Sequence, residues 1–116
     1  MTRSSLKPTA IYKIIPKSNL DTANKFDCVK LLELDIKSGF IHTAYGKQVK
    51  GIIDKFFPKE NSILLLELDV DQLKENGTVV KPEANKEGGT VFPHLYGVQR
   101  IPINAVKKVI KKEIVF

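Results

Sequence analysis

Only two histidines occur in the chain, and both stand in short hydrophobic segments with glycine beside them. His42 lies in Gly39-Phe40-Ile41-His42-Thr43-Ala44, and His94 lies in Phe92-Pro93-His94-Leu95-Tyr96-Gly97. Imidazoles can move protons near neutral pH or hold ribose and phosphate oxygens. One histidine at a strand end is more often a hydrogen-bonded structural residue than a catalytic one. Two in matching apolar and aromatic settings are hard to treat as solvent decoration. The expectation is that they converge on a shared hollow beside the start of a helix.

The elements around them follow from periodicity. If residues 40–44 are a strand, Phe40, His42 and Ala44 share one face, and Ile41 and Thr43 share the other. Val49, Ile52, Ile53, Phe56 and Phe57 then form one helical stripe, which Pro58 stops. Thr43 or the Tyr45-Gly46 turn can begin that helix, placing unpaired backbone N–H groups near His42, where they suit an anion. Ala10 to Ile15 alternates as a central strand, with Lys13 on one face. Lys13 either reaches solvent along its alkyl stem or aims a cation into a cleft. Ser18 can cap a short helix near Asn19. Residues 26–34 fit neither period, and Asp35 to Ser38 with Gly39 reads as a turn.

Ser62 to Val70 is the expected core strand, with Leu64, Leu66, Leu68 and Val70 on one side. Asp71 to Leu73 suggests one helical turn closed by Asn76-Gly77. Thr78 to Lys81 can extend before Pro82 and Glu83, residues 85–89 read as a loop, and Phe92 to Tyr96 returns to the core with His94 and Tyr96 on one face. Pro102 opens a short turn through Ala105. Val106 to Phe116 fits a helical stripe nearly as well as a strand, and its β-branched content favours the strand. Strands outnumber helices and do not alternate strictly with them. The fold class is therefore α+β, with a curved, mainly antiparallel sheet and one long helix.

At 116 residues, 42% hydrophobic and 28% charged, the composition suits one globular domain over residues 10–116 behind a flexible tail at 1–9. No apolar run approaches the roughly 20 residues that span a bilayer, and no secretory signal pattern opens the chain, so a cytoplasmic location is expected. Cys28 is the lone cysteine, which excludes an intrachain disulfide and a cysteine zinc cluster, and no metal is expected. The net charge of +6 invites RNA binding. Much of the excess sits at Lys107, Lys108, Lys111 and Lys112, where lysines more often protect a strand edge. A phosphorylated or nucleotide-like small ligand stands ahead of RNA.

Three pieces carry a resemblance: Ile11-Tyr12; Leu34-Asp35 leading to Gly39-Phe40-Ile41-His42 with Gln48 and Phe56-Phe57; and Phe92-Pro93-His94-Leu95-Tyr96-Gly97. In this order and at this separation they resemble the domain of unknown function 952 family, from about Ile11 to the C-terminal end. Glu83 stands where such sequences carry a glutamate, with Pro82 in place of the usual tryptophan. The fold of that family is similar to that of ADP-ribosyltransferases and the related RNA 2′-phosphotransferases, which implies a split sheet with an NAD-sized cleft.

The resemblance implies ligand-holding roles for Lys13, Gln48, Tyr96 and Thr43, and catalytic roles for His42, His94 and Glu83. Glu83 would stabilise positive charge developing on a ribose. Plainer readings remain open: Glu83 as an exposed loop carboxylate, Gln48 as a first-turn polar residue, Tyr96 as a core ring. Family members usually read Ile-Tyr-His in the first strand, where this chain has Lys13, and Thr43-Ala44 replaces a pair that often ends in serine. The implied function is an NAD-type ADP-ribosyl or 2′-phosphate transferase. The alternative is a non-catalytic module that keeps the cleft for a nucleotide, a phosphometabolite or RNA, since a permanent cation at Lys13 preserves anion binding better than proton transfer.

Overall fold

The computed structural model describes residues 6–16, 28–29, 32–56, 62–84, 86–97 and 100–113. In chain order the elements are β1 (Ile11–Pro16), β2 (Cys28–Val29), α1 (Glu33–Ser38), β3 (Ile41–His42), β4 (Ala44–Tyr45), α2 (Val49–Phe56), β5 (Ser62–Leu68), α3 (Val70–Glu75), β6 (Val79–Ala84), β7 (Val91–Tyr96), β8 (Ile101–Pro102) and β9 (Val106–Glu113). Short 3-10 turns at Gly46–Gln48 and Ile103–Ala105 lead into α2 and β9. The expected helix near Ser18, the end of the stripe at Phe57 and Pro58, residues 26, 27, 30 and 31 of the stretch left unassigned, and the last residues of the C-terminal strand lie outside the described residues.

The near-continuous apolar run of β5 requires burial on both faces, and the fold supplies it. β5 sits between β1 and β9 in a sheet ordered β4-β1-β5-β9. Side chains alternate between two cores. Ile11, Ile15, Leu64, Leu66 and Leu68 pack with Leu73 and Leu95 on one face. Tyr12, Ile14, Ile63 and Leu65 pack with Val49 and Ile53 of α2 on the other. Tyr12 is fully buried, and its hydroxyl donates to Glu67 while accepting from the Lys7 backbone, so no polar atom of the ring is stranded. Near the chain start, Lys47 N–H donates to Pro8 O and Gly46 N–H to Ala10 O.

A second sheet, β3-β7-β6, carries the histidines, and β2 pairs with β8 separately. Every strand pair among the described residues is antiparallel. The architecture is thus α+β, as the composition of elements suggests. β9 is a sheet edge, with Lys107, Lys108 and Lys111 exposed along it.

Four local expectations are corrected. Residues 40–44 are not one strand: the chain breaks at Thr43, with β3 in one sheet and β4 in the other, and Thr43 Oγ1 donates to Pro93 O at 2.6 Å across the break. Asp35 to Ser38 is not a turn but the body of helix α1. Leu34 and Ile36 are exposed there, so no apolar stripe announces the helix. Val70 opens α3 rather than closing β5, because Asp69 accepts from the Gln72 N–H as an N-cap. β6 runs through Pro82 and Glu83 instead of ending before them. Pro82 lies on an edge strand opposite Pro93, a pairing that asks neither residue for an N–H.

Leu66 is fully buried between Lys13 of β1 and Val109 of β9. Leu66→Ala is expected to cost about 2–5 kcal/mol, read as a lowered urea midpoint with an unchanged slope.

Candidate functional site

Asp35 is the one buried residue of helix α1. Asp35 is its third residue, and its Oδ2 accepts from the Leu32 N–H at 3.1 Å, the acidic half of a capping box. Gly39, at φ 78°, ends the helix by donating its N–H to Asp35 O at 3.0 Å, a left-handed conformation that favours glycine. Asp35 is 1% exposed. Its Oδ2 also accepts from Lys13 Nζ at 2.7 Å, and its Oδ1 accepts from the backbone N–H of His42 at 2.8 Å and contacts His42 Nδ1 at 2.9 Å. Burial alone would raise the Asp35 pKa, but the hydrogen bonds from His42 and the charge of Lys13 win and hold it at about 2. Lys13, 2% exposed, donates also to His42 O at 2.8 Å. Burial pulls its pKa down, opposed by the Asp35 charge.

The second imidazole reaches the first through strand register. His42 on β3 stands directly opposite His94 on β7, and the rings lie 5.7 Å apart at 63°. Phe40 stacks on His94 at 4.1 Å and tilts against His42 at 4.6 Å, closing one side of both. His94 is anchored as His42 is, by a carboxylate on Nδ1: Glu83 Oε1 lies 3.0 Å away and also accepts from Tyr96 OH. The Tyr96 hydrogen bond, followed by that of His94, lowers the Glu83 pKa, and the Glu83 carboxylate raises that of Tyr96. Lys81 Nζ lies 4.8 Å from the centre of the Tyr96 ring. With Nδ1 of each ring directed at a carboxylate, Nε2 is the nitrogen left for chemistry. For His42 it lies 3.5 Å from Ser38 Oγ.

Both histidines line one cavity of about 590 Å³ bordered by α1, α2 and both sheets. Lys13 and Thr43 line it as well. Lys13 does not reach solvent along its stem; it lies on the cavity wall with its ammonium paired to Asp35. The Thr43 hydroxyl is committed to Pro93 O. Glu83 and Tyr96 stand behind His94 rather than on the cavity wall. Gln48 is outside it too. Its Oε1 accepts from the Tyr45 N–H at 3.0 Å and its Nε2 donates to Val91 O at 2.7 Å, which ties the start of α2 to β7.

Sequence reasoning passed over Asp35. The available signal was an acid four residues before Gly39, together with a lysine in a central strand that needs a partner. Among the described residues no group of three or more histidines, cysteines and carboxylates could hold a metal ion. No helix of the described residues is long and apolar enough to cross a membrane.

Fold and site together define an α+β protein with a paired-histidine cleft between antiparallel sheets. A family model described as protein of unknown function (DUF952) matches residues 14–109, and the chain belongs to that family. An X-ray crystal structure of protein CC0527 from Caulobacter crescentus is similar at a TM-score of 0.74 and 30% identity, over 89% of this chain and 85% of that one. A solution NMR structure of CC0527 gives 0.74 and 28%, over 91% and 86%. Among curated proteins none matches.

The depressed pKa of Asp35 favours the folded state above its ordinary value of 3.8, and that contribution fades as the pH falls through about 2. It amounts to about 2 kcal/mol, and Asp35→Asn should cost about 3–5 kcal/mol at neutral pH by leaving Lys13 unpaired. Urea titrations across this acid range should show a flatter stability profile for the variant than for the wild type.

Proposed function

We propose that the cleft is an acid–base site for group transfer on a nucleotide-like or phosphorylated small ligand. The observation that carries this reading is the pairing itself: two imidazoles, each with Nδ1 on a carboxylate, line one cavity with their ring centres 5.7 Å apart. In such a site His42 Nε2 takes the proton of an attacking hydroxyl, and Asp35 stabilises the imidazolium that forms. In the same step His94, its Nδ1 held by Glu83, passes a proton from Nε2 to the leaving oxygen. The bond from the attacking oxygen to the transferred group forms as the leaving bond breaks, so protons balance. Glu83 acts here as a positioning residue for His94. A 2′-phosphate transferase is the form this takes if the family resemblance extends to chemistry; in the NAD-dependent ADP-ribosyl form NAD is the donor and nicotinamide leaves as a neutral base, so only the proton transfer from the attacking hydroxyl to His42 is used there.

A non-catalytic binding module is the second reading. It is favoured by Lys13, which stands where such sequences usually carry a first-strand histidine and is sealed against Asp35. A panel of NAD, nucleoside monophosphates and 2′-phosphorylated oligonucleotides, read by thermal shift and by the imidazole resonances of His42 and His94, separates the cases. The transferase reading expects binding, a chromatographically detected product, and a loss of rate of about 100-fold or more in His42→Gln and in His94→Gln. Binding without product leaves the module. No shift of either resonance with any member of the panel removes both.

A further inference from the structure

Helix α1 brings a second group to His42 besides Asp35. Ser38 is its last residue, three positions after Asp35, so the two stand on the same side of the helix. Asp35 Oδ1 meets Nδ1 of His42 at 2.9 Å, and Ser38 Oγ meets Nε2 at 3.5 Å. A carboxylate only accepts, so Nδ1 carries the proton of the neutral ring and Nε2 turns a lone pair toward the serine hydroxyl. The succession of serine, imidazole and buried carboxylate is that of an activated nucleophile, and 3.5 Å is a separation that substrate binding tightens in such sites. Two other hydroxyl side chains line the cavity, and both are engaged away from the histidines: Tyr12 donates to Glu67 and Thr43 to Pro93 O. Ser38 is exposed, and it lines the cavity together with His42 and His94.

Resting on the acid–base reading above, we infer that Ser38 is the first acceptor of the transferred group, so that a phosphoryl or nucleotidyl group spends part of each cycle as an ester of Ser38 Oγ. In the first half, His42 takes the Ser38 proton on Nε2 as the bond from Oγ to phosphorus forms. The bond from phosphorus to the leaving oxygen breaks, and that oxygen receives the Nε2 proton of His94. In the second half, an incoming hydroxyl gives its proton to His94 as its oxygen bonds to phosphorus. The bond from phosphorus to Oγ then breaks, and His42 returns its proton to Oγ. Both imidazoles end as they began, so the cycle consumes one phosphoester donor and one hydroxyl acceptor and nothing else. Attacking and leaving oxygens lie in line through phosphorus, which asks for a base and an acid at separate places, and two rings with centres 5.7 Å apart supply them.

A fluorophosphonate tests this step, because it forms an oxygen–phosphorus bond with an activated hydroxyl and expels fluoride, which needs no proton from His94. Peptide mass spectrometry of the treated full chain should place the label on Ser38. The rate should fall about 100-fold or more in His42→Gln and stay within a few-fold of wild type in His94→Gln. In the wild type the rate should follow the ionisation of the His42 ring, read from its own NMR resonance across pH, which keeps the test intact if His42→Gln fails to fold. Ser38 is exposed at the end of a helix, so Ser38→Ala leaves the core untouched, and it should lower product formation from 2′-phosphorylated oligonucleotides about 100-fold or more. An unlabelled Ser38, or labelling indifferent both to His42→Gln and to the ionisation of His42, overturns the proposal. Product formed by Ser38→Ala at the wild-type rate overturns it as well and leaves the acid–base reading standing, with the acceptor hydroxyl attacking directly. Neither label on Ser38 nor binding of any phosphorylated ligand overturns both.

Discussion

A buried carboxylate is costly unless every lone pair finds a donor, and the way Asp35 is satisfied organises the cleft. Its four contacts come from three different places: the Leu32 N–H at the start of α1, the Lys13 ammonium on β1, and the backbone N–H and ring of His42 on β3. Helix, first sheet and second sheet are thereby fixed to one group. Lys13 adds a second tie by donating to His42 O, so the strand that bears the imidazole is gripped at both its N–H and its carbonyl. The arrangement orients the ring and leaves the Asp35–Lys13 charges internally balanced.

Glu83 repeats the motif in a different medium. It too binds Nδ1 of a histidine, but its side chain is 37% exposed, and its second partner is a phenol rather than an ammonium. Solvent screens such a pair, so its contribution to stability is small. Its consequence is directional, because His94 is held between Glu83 on one ring nitrogen and Phe40 on one ring face. The two histidines are thus alike in attachment and unlike in surroundings: His42 is backed by a buried ion pair and is 26% exposed, while His94 is 3% exposed and backed by a partly exposed carboxylate.

Lys13 lines the cavity, and its cation is turned onto Asp35 and neutralised there. The cleft that results is apolar along its walls, with its proton-exchanging groups gathered on its buried surface.

Much of the frame was legible from residues alone. The near-continuous apolar run of β5 declares a core strand, the i, i+3, i+4 spacing of Val49, Ile52 and Ile53 declares the buried stripe of α2, and Asn76-Gly77 declares a turn, because these signals are local and set by steric periodicity. The two histidine segments were equally visible, and their shared setting suggested a common site. Three features were not visible. Helix α1 has exposed apolar residues and no stripe, the break at Thr43 is imposed by two sheets competing for one strand, and Asp35 acquires its partners only when residues 13, 32 and 42 are brought together. The sequence by itself determined which side chains could exchange protons and which segments had to be buried. Tertiary structure alone decided that His42 faces His94 across a ladder, and that Lys13 is spent on Asp35. Hydrogen bonding and charge pairing act over a few ångströms, and chain order does not specify which distant groups will come that close.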